Sequence, residues 1–344
     1  MSKLGKTSKM IFFLSIAAFL LIAVCFLLWT KYFVISNSIS PDKNTTASST
    51  ESIEETLEPF PIGVNTIDKK INEDPLVESY LKQNLSIDTE KTRQNRFINR
   101  LLAQITKLSW YQNLASSVSR MLVIYPGERR EEIVQDFGDI LDWEPDEREL
   151  FSSYITKTEP ALVEGKFFPG RYVVESEATP ETVADLLLGH FNQEVLSRYS
   201  DEIEKQVPLE DALVIASLLE REAYDFNDMR YISGIIWNRL FVDMPLQLDA
   251  SLQYARGSKP TEKLWWPKVV PADKYINSPY NTYKNAGLPP TPIANPSVEA
   301  IVAALNPRVT DCMFYFHDQE GKFYCTKTYA EHVNKLKEVY GRGK

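Results

Sequence analysis

Histidine and cysteine are scarce in this chain of 344 residues, with three of each. Cys25, Cys312 and Cys325 show no CxxC spacing, so a structural zinc site has no ligand set to draw on. Positive charge is in deficit too. The balance is 38 basic against 47 acidic residues, a net charge of −9, which removes the electrostatic footprint of a nucleic-acid partner. Cys312 and Cys325 flank a predicted turn at 318–321. A four-residue loop there sets Cys325 opposite Phe314 and diagonal to Cys312, too far for relaxed disulfide geometry without a register change, so no bridge is expected. What is present is an ordinary globular mix, 44% hydrophobic and 25% charged, long enough for two or three compact units.

The run "MIFFLSIAAFLLIAVCFLLW" at 10–29 has no charge, and Ser15 is its only polar residue. It matches the length of a membrane-spanning helix. Lys3, Lys6 and Lys9 precede it and Lys31 alone follows closely, so the N-terminus is expected in the cytoplasm and the rest outside. A cleaved signal peptide is the alternative, but no A-x-A-like site follows Trp29. The Ser/Thr-rich, acidic stretch that follows cannot bury enough apolar surface to fold and reads as a tether.

Phe97, Leu101, Ile105 and Leu108 recur at helical spacing in a mixed-charge connector. Beyond it, "RMLVIYPGE" predicts a strand ending in a turn, "RREEIVQDFGDIL" a helix with Ile133, Phe137 and Leu141 on one stripe, and Glu144-Pro145-Asp146 a second helix start. With "GKFFPGRYVV" as a second strand, the result is a βααβ unit whose opening resembles a LysM-type glycan-binding module. A structural α+β piece is the plain alternative. The expected division is a cytoplasmic end 1–9, a transmembrane helix 10–30, a flexible tether 31–61, a helical connector 62–119, the LysM-like unit 120–175 and a final mixed α+β unit 176–344. The fold class is α+β.

In the last unit, "IASLLEREA" sets two glutamates in a helix that is apolar all round, and such a helix is surrounded by protein. Glu220 shares a stripe with Ala212, Ala216, Leu219 and Ala223, whereas Glu222 falls about 200° away beside Ile215 and Leu218. The two are therefore not a closely spaced pair. Glu220, alone among alanines, is a candidate general acid. It could equally be a structural partner of Arg239. The loops that follow are dense in Pro, Asn and Tyr, and long irregular loops in compact domains tend to be functional. Gln247, Asp249, Tyr254, Tyr280, Asn281 and Tyr283 offer the hydrogen bonds and flat faces that a sugar groove needs, with Asn238 and Arg239 as polar positions in the next helix. His317, His332 and Lys327 read as structural.

The motifs "ASLLEREA", "NRLFVDMPLQLDAS", "YNTYKNAGLPPTPIANPSVEAI" and "KTYAEH", in that order, resemble the MltG-type, YceG-like endolytic murein transglycosylases. The resemblance implies a single-pass inner-membrane enzyme with a LysM-like subdomain and a catalytic domain. Such an enzyme cleaves peptidoglycan between MurNAc and GlcNAc to leave 1,6-anhydroMurNAc ends, with no metal or cofactor. It implies a catalytic glutamate first in the E-x-E motif, Glu220. Substrate contacts then fall to Gln247, Asp249, Asn281, Tyr280, Tyr254, Asn238 and Arg239, and partners to glycan strands, the membrane and the cell-wall synthesis machinery. Departures are Ala250 after the Asp of "LQLD", Phe323 and Cys325 in the last hairpin where relatives often carry a histidine and an aromatic, and Gly170-Arg171 after "FP". Two rivals remain. One is a tethered wall-binding scaffold without turnover, and the other a hydrolase pairing Glu220 with Asp249, which would leave reducing ends.

Overall fold

The computed structural model describes residues 57–73, 77–80, 118–157 and 163–341. The chain divides into two compact units, 1–55 with 98–105, and 56–97 with 106–344. All described residues belong to the second. The apolar run at 10–29, the tether up to 56 and most of the connector lie outside them. Where these two expected pieces are described they differ from the expectation, since Phe60 at the tether's end is buried in the core and Val64–Asn65 pairs with Lys70–Ile71 as strands at the connector's start. Among the described residues no helix is long and apolar enough to cross a membrane.

Among the described residues the order of elements is mixed α+β with three two-stranded antiparallel sheets. β1 (Val64–Asn65) pairs with β2 (Lys70–Ile71). β3 (Ser119–Ile124), α1 (Arg130–Ile140), α2 (Pro145–Lys157) and β4 (Gly170–Glu175) form the βααβ unit, with β3 against β4 from Ser119↔Glu175 to Ile124↔Gly170. Ile133, Phe137, Phe151, Phe167 and Leu187 close its core. The apolar stripe predicted for α1 is the face that is buried.

α3 (Pro180–Glu194) begins where Thr179 accepts from Thr182 N and Pro180 supplies a pre-set φ. α4 (Asp201–Gln206) leads into α5 (Leu209–Glu222), whose residues 212–219 are all buried. α6 (Phe226–Phe241), α7 (Asp249–Gly257) and α8 (Val298–Leu305) pack around α5, so its all-round hydrophobicity is satisfied by helices on its several sides. Asp225 caps α6 by accepting from Asp228 N at 2.9 Å.

β5 (Phe314–His317), β6 (Phe323–Thr326) and α9 (Tyr329–Tyr340) end the chain. The predicted 318–321 turn is there, with Gly321 N donating to Asp318 O at 3.0 Å. The expected absence of a bridge is overturned: Cys312 and Cys325 are disulfide-bonded, Cα–Cα 5.7 Å. The register pairs Tyr315 with Cys325, not Phe314. Pairing begins only at Phe314, so Cys312 is not held in a strand. Asn238 Nδ2 draws the carbonyls of Thr310 and Cys312 toward α6 at 2.8 and 3.1 Å, and that bend carries Cys312 over Cys325.

Candidate active site

The last turn of α5 carries Glu220 and Glu222, and the structure gives them different surroundings. Glu220 reaches the start of α8, where its Oε2 accepts from Ser297 N at 3.1 Å and from Ser297 Oγ at 2.7 Å. Ser297 Oγ in turn caps the helix by accepting from Ala300 N. The glycine turn of the βααβ unit closes over this corner. Gly127 has φ +85°, and a Cβ there would lie 3.5 Å from Glu220 Cγ. Glu220 is thus a partly buried carboxyl tied to the start of α8.

Glu222 faces α7 and the last hairpin. Its Oε1 accepts from Ala250 N at 2.9 Å and its Oε2 from Tyr315 Oη at 3.1 Å. Leu248 at the cap of α7 has no side-chain oxygen to offer, so Glu222 satisfies a helix-end N–H from another helix. Burial raises the Glu222 pKa and the Asp249 charge adds to this; the bonds from Ala250 and Tyr315 and the nearby His317 oppose it, and burial prevails. The side chain nevertheless stays partly open to solvent.

Asp249 beside it is exposed and accepts from Tyr283 Oη at 2.7 Å. Behind the hairpin, His317 Nε2 lies 2.7 Å from Asp228 Oδ2, and the His317 ring meets Tyr224 edge-on. His332 packs on Phe314 and Phe316, and Lys327 pairs with Asp311. The three form no common cluster, as expected.

Of the residues expected to hold sugars, Gln247 and Asp249 are at the surface. Gln247 adopts φ +50°, and its N–H donates to Thr282 O at 3.1 Å. Asn281 corrects the expectation. It is fully buried, donates to Lys274 O and Ile276 O and accepts from Tyr283 N, so it clasps the loop. Arg239 is buried as well, spending its donors on the carbonyls of Met313, Pro245 and Leu246 and stacking on Phe314; its bonds braces the hairpin and the 245–248 turn rather than Glu220. Tyr254 is buried under the Arg129 guanidinium, 4.1 Å from its ring centre. Tyr280 bonds Thr291 and packs on Tyr254. Asn238 holds the segment before the hairpin. Irregular backbone needs such internal partners, which is why the Asn281 amide points inward.

Several contributors escaped the sequence reading. Tyr315 was hidden in a hairpin whose register was one residue off. Asn295 joins the βααβ unit to the helices: Oδ1 accepts from Gly165 N and Phe167 N, and Nδ2 donates to Glu128 O and to Glu164 Oε1. Glu164, buried there, also accepts from Arg130 N. Burial, then the Glu131 charge, pushes its pKa up to about 8.

The YceG-like family model matches residues 64–338, which takes in the βααβ unit, both glutamates and the hairpin. A protein of Streptococcus pneumoniae described as an endolytic murein transglycosylase is 34% identical over 177 residues, 51% of this chain and 32% of that protein. One of Bacillus subtilis with the same description is 37% identical over 179 residues, 52% of this chain and 48% of that protein. The matched region thus spans only a third to a half of these relatives' lengths. The crystal structure of a YceG-like protein from Listeria monocytogenes aligns with TM-score 0.55 and 25% identity, covering 81% of this chain and 98% of that one. With the family match running through most of its length, the chain belongs to the YceG-like family.

Proposed function

We propose that this chain is a membrane-anchored lytic transglycosylase that cuts peptidoglycan strands internally between MurNAc and GlcNAc, leaving 1,6-anhydroMurNAc ends. The observation that carries the reading is Glu222: a carboxyl with a burial-raised pKa, fixed by Ala250 N and Tyr315 Oη, still reachable from solvent and next to an exposed Asp249. The names of the relatives and the family motif supply the substrate class.

The general acid is therefore reassigned from Glu220 to Glu222. An acid must hold its proton near neutral pH, and a raised pKa serves that need. Glu220 instead binds the start of α8 through two donors and acts as support. Glu222 protonates the glycosidic oxygen as the bond breaks. Its carboxylate then takes the proton from the C6 hydroxyl, whose oxygen closes the anhydro ring on C1. One group serves both steps because no water has to be activated. Asp249, held by Tyr283, offsets the positive charge that develops at C1. A hydrolase pairing Glu220 with Asp249 has less support, since Asp249 neighbours Glu222.

Location outside the cytoplasm is supported by the Cys312–Cys325 disulfide, which belongs to oxidising compartments, and by the lysines before the apolar run at 10–29. The βααβ unit is read as LysM-like on its element order alone, and contact with the wall-synthesis machinery follows from family resemblance. The test compares Glu222→Gln with Glu220→Gln on purified peptidoglycan. Loss of anhydro ends with the first and their persistence with the second supports the assignment; the reverse pattern overturns it.

A further inference from the structure

The segment between α7 and the Tyr283 loop is basic within an acidic chain. Residues 257–284 contain Lys259, Lys263, Lys268, Lys274 and Lys284 against only Glu262 and Asp273. Both acids are turned toward one cation, for Arg256 Nε lies 3.0 Å from Glu262 Oε2 and its Nη1 3.2 Å from Asp273 Oδ2. Asp273 also accepts from Val270 N, and Glu262 from the N–H groups of Lys263 and Leu264. The carboxylates are consumed inside the segment while the five lysines are exposed. Leu264, Val270 and Tyr275 are exposed beside them, Tyr275 at 81%. Exposed apolar side chains grouped on one edge and rimmed by polar residues are the kind of surface that meets a partner.

This edge is continuous with the candidate site. Lys274 Nζ stands 4.8 Å over the Tyr283 ring, Tyr283 Oη donates to Asp249, and Asp249 adjoins Glu222 through the first turn of α7. An anionic polymer approaching a protein of net charge −9 is repelled on average, so a local lysine edge beside the site is where its charge can be met.

We propose that the 263–275 edge receives the acidic peptides carried by the glycan strand, with Lys263, Lys268 and Lys274 pairing to peptide carboxylates and Leu264, Val270 and Tyr275 covering their aliphatic side chains. The proposal rests on the peptidoglycan reading and adds that the peptide-bearing strand is preferred over the bare glycan.

The experiment uses the full chain in detergent with two substrates, peptide-bearing strands and the same strands stripped of peptides by an amidase. The readout is the ratio of kcat/KM for the two, together with co-sedimentation of the Glu222→Gln chain with each. The wild type favours peptide-bearing strands, and the ratio falls about ten-fold in the Lys263→Gln, Lys268→Gln, Lys274→Gln triple variant, equivalent to about 1.4 kcal/mol. The preference weakens as salt is raised. A ratio untouched by the triple substitution, or bare strands bound and cut as well as peptide-bearing ones, overturns the proposal. If no strand is cut, the transglycosylase reading fails, and the sedimentation ratio still judges the peptide contact by itself.

Discussion

A carboxyl at the end of a helix is defined by what it reaches. Glu222 and Glu220 are two residues apart on α5, yet one is bonded to α7 and β5 and the other to α8. Replacing Glu222 by Gln keeps the shape and removes the proton, so turnover should fall by about 100-fold or more, measured as anhydro ends released per minute. Glu220→Gln should keep activity within a few-fold and lower stability by about 2 kcal/mol, the scale of one hydrogen bond to a charged group, read from urea unfolding. Tyr315→Phe supplies a second check. Its hydroxyl bond lowers the Glu222 pKa, so its loss lets that pKa rise, and the alkaline limb of the pH–rate profile should move upward; a limb that stays put separates Tyr315 from the acid. The helical wheel correctly sent the two glutamates to different sides, but it could not say which partners each side would meet. That depends on the partners from 250 and 315, which are brought in only by tertiary packing. Asn281 failed as a ligand for the same reason: an amide in an irregular loop is as useful for closing the loop's own backbone as for binding.

Elements join here through an apolar core laced with buried polar contacts. The hairpin that presents Tyr315 is tied by the Cys312–Cys325 bond, with a sequence separation of 13. Closing a loop of that size removes about 3 kcal/mol of unfolded-state freedom, so Cys312→Ser with Cys325→Ser should lower the melting temperature and weaken activity through a looser Tyr315. Unchanged stability would make the bond incidental. The hairpin itself was legible in "HDQEG", whereas its register and bridge were not, since both depend on where pairing stops. The βααβ unit was legible too, in its alternation of strand and helix patterns. Its seam with the α5 helices was not, because Asn295 and Glu164 belong to loops with no periodicity. Glu164 is protonated in the fold up to about pH 8 and ionises near 4.5 when unfolded. The folded state therefore holds the extra proton between those values. The stability this contributes is complete at low pH and is lost as pH climbs from about 4.5 through about 8. Glu164→Gln should flatten the fall in melting temperature between pH 5 and 8, and an equally steep fall in the variant would contradict the seam's role.

For the whole molecule, the proposed membrane-spanning run at 10–29, with its preceding lysines, would place the following chain outside the cytoplasm. Reporter fusions at the chain's end should be active only outside the cytoplasm. Family membership was readable from four ordered motifs, since sequence patterns retain loops that a fold needs even where their roles differ from the expected ones. The central claim concerns bond chemistry, and products decide it. Peptidoglycan incubated with the wild-type chain, digested to muropeptides and analysed by mass spectrometry should yield 1,6-anhydroMurNAc ends that vanish with Glu222→Gln. New reducing ends in their place, or anhydro ends undiminished in that variant, would contradict the account.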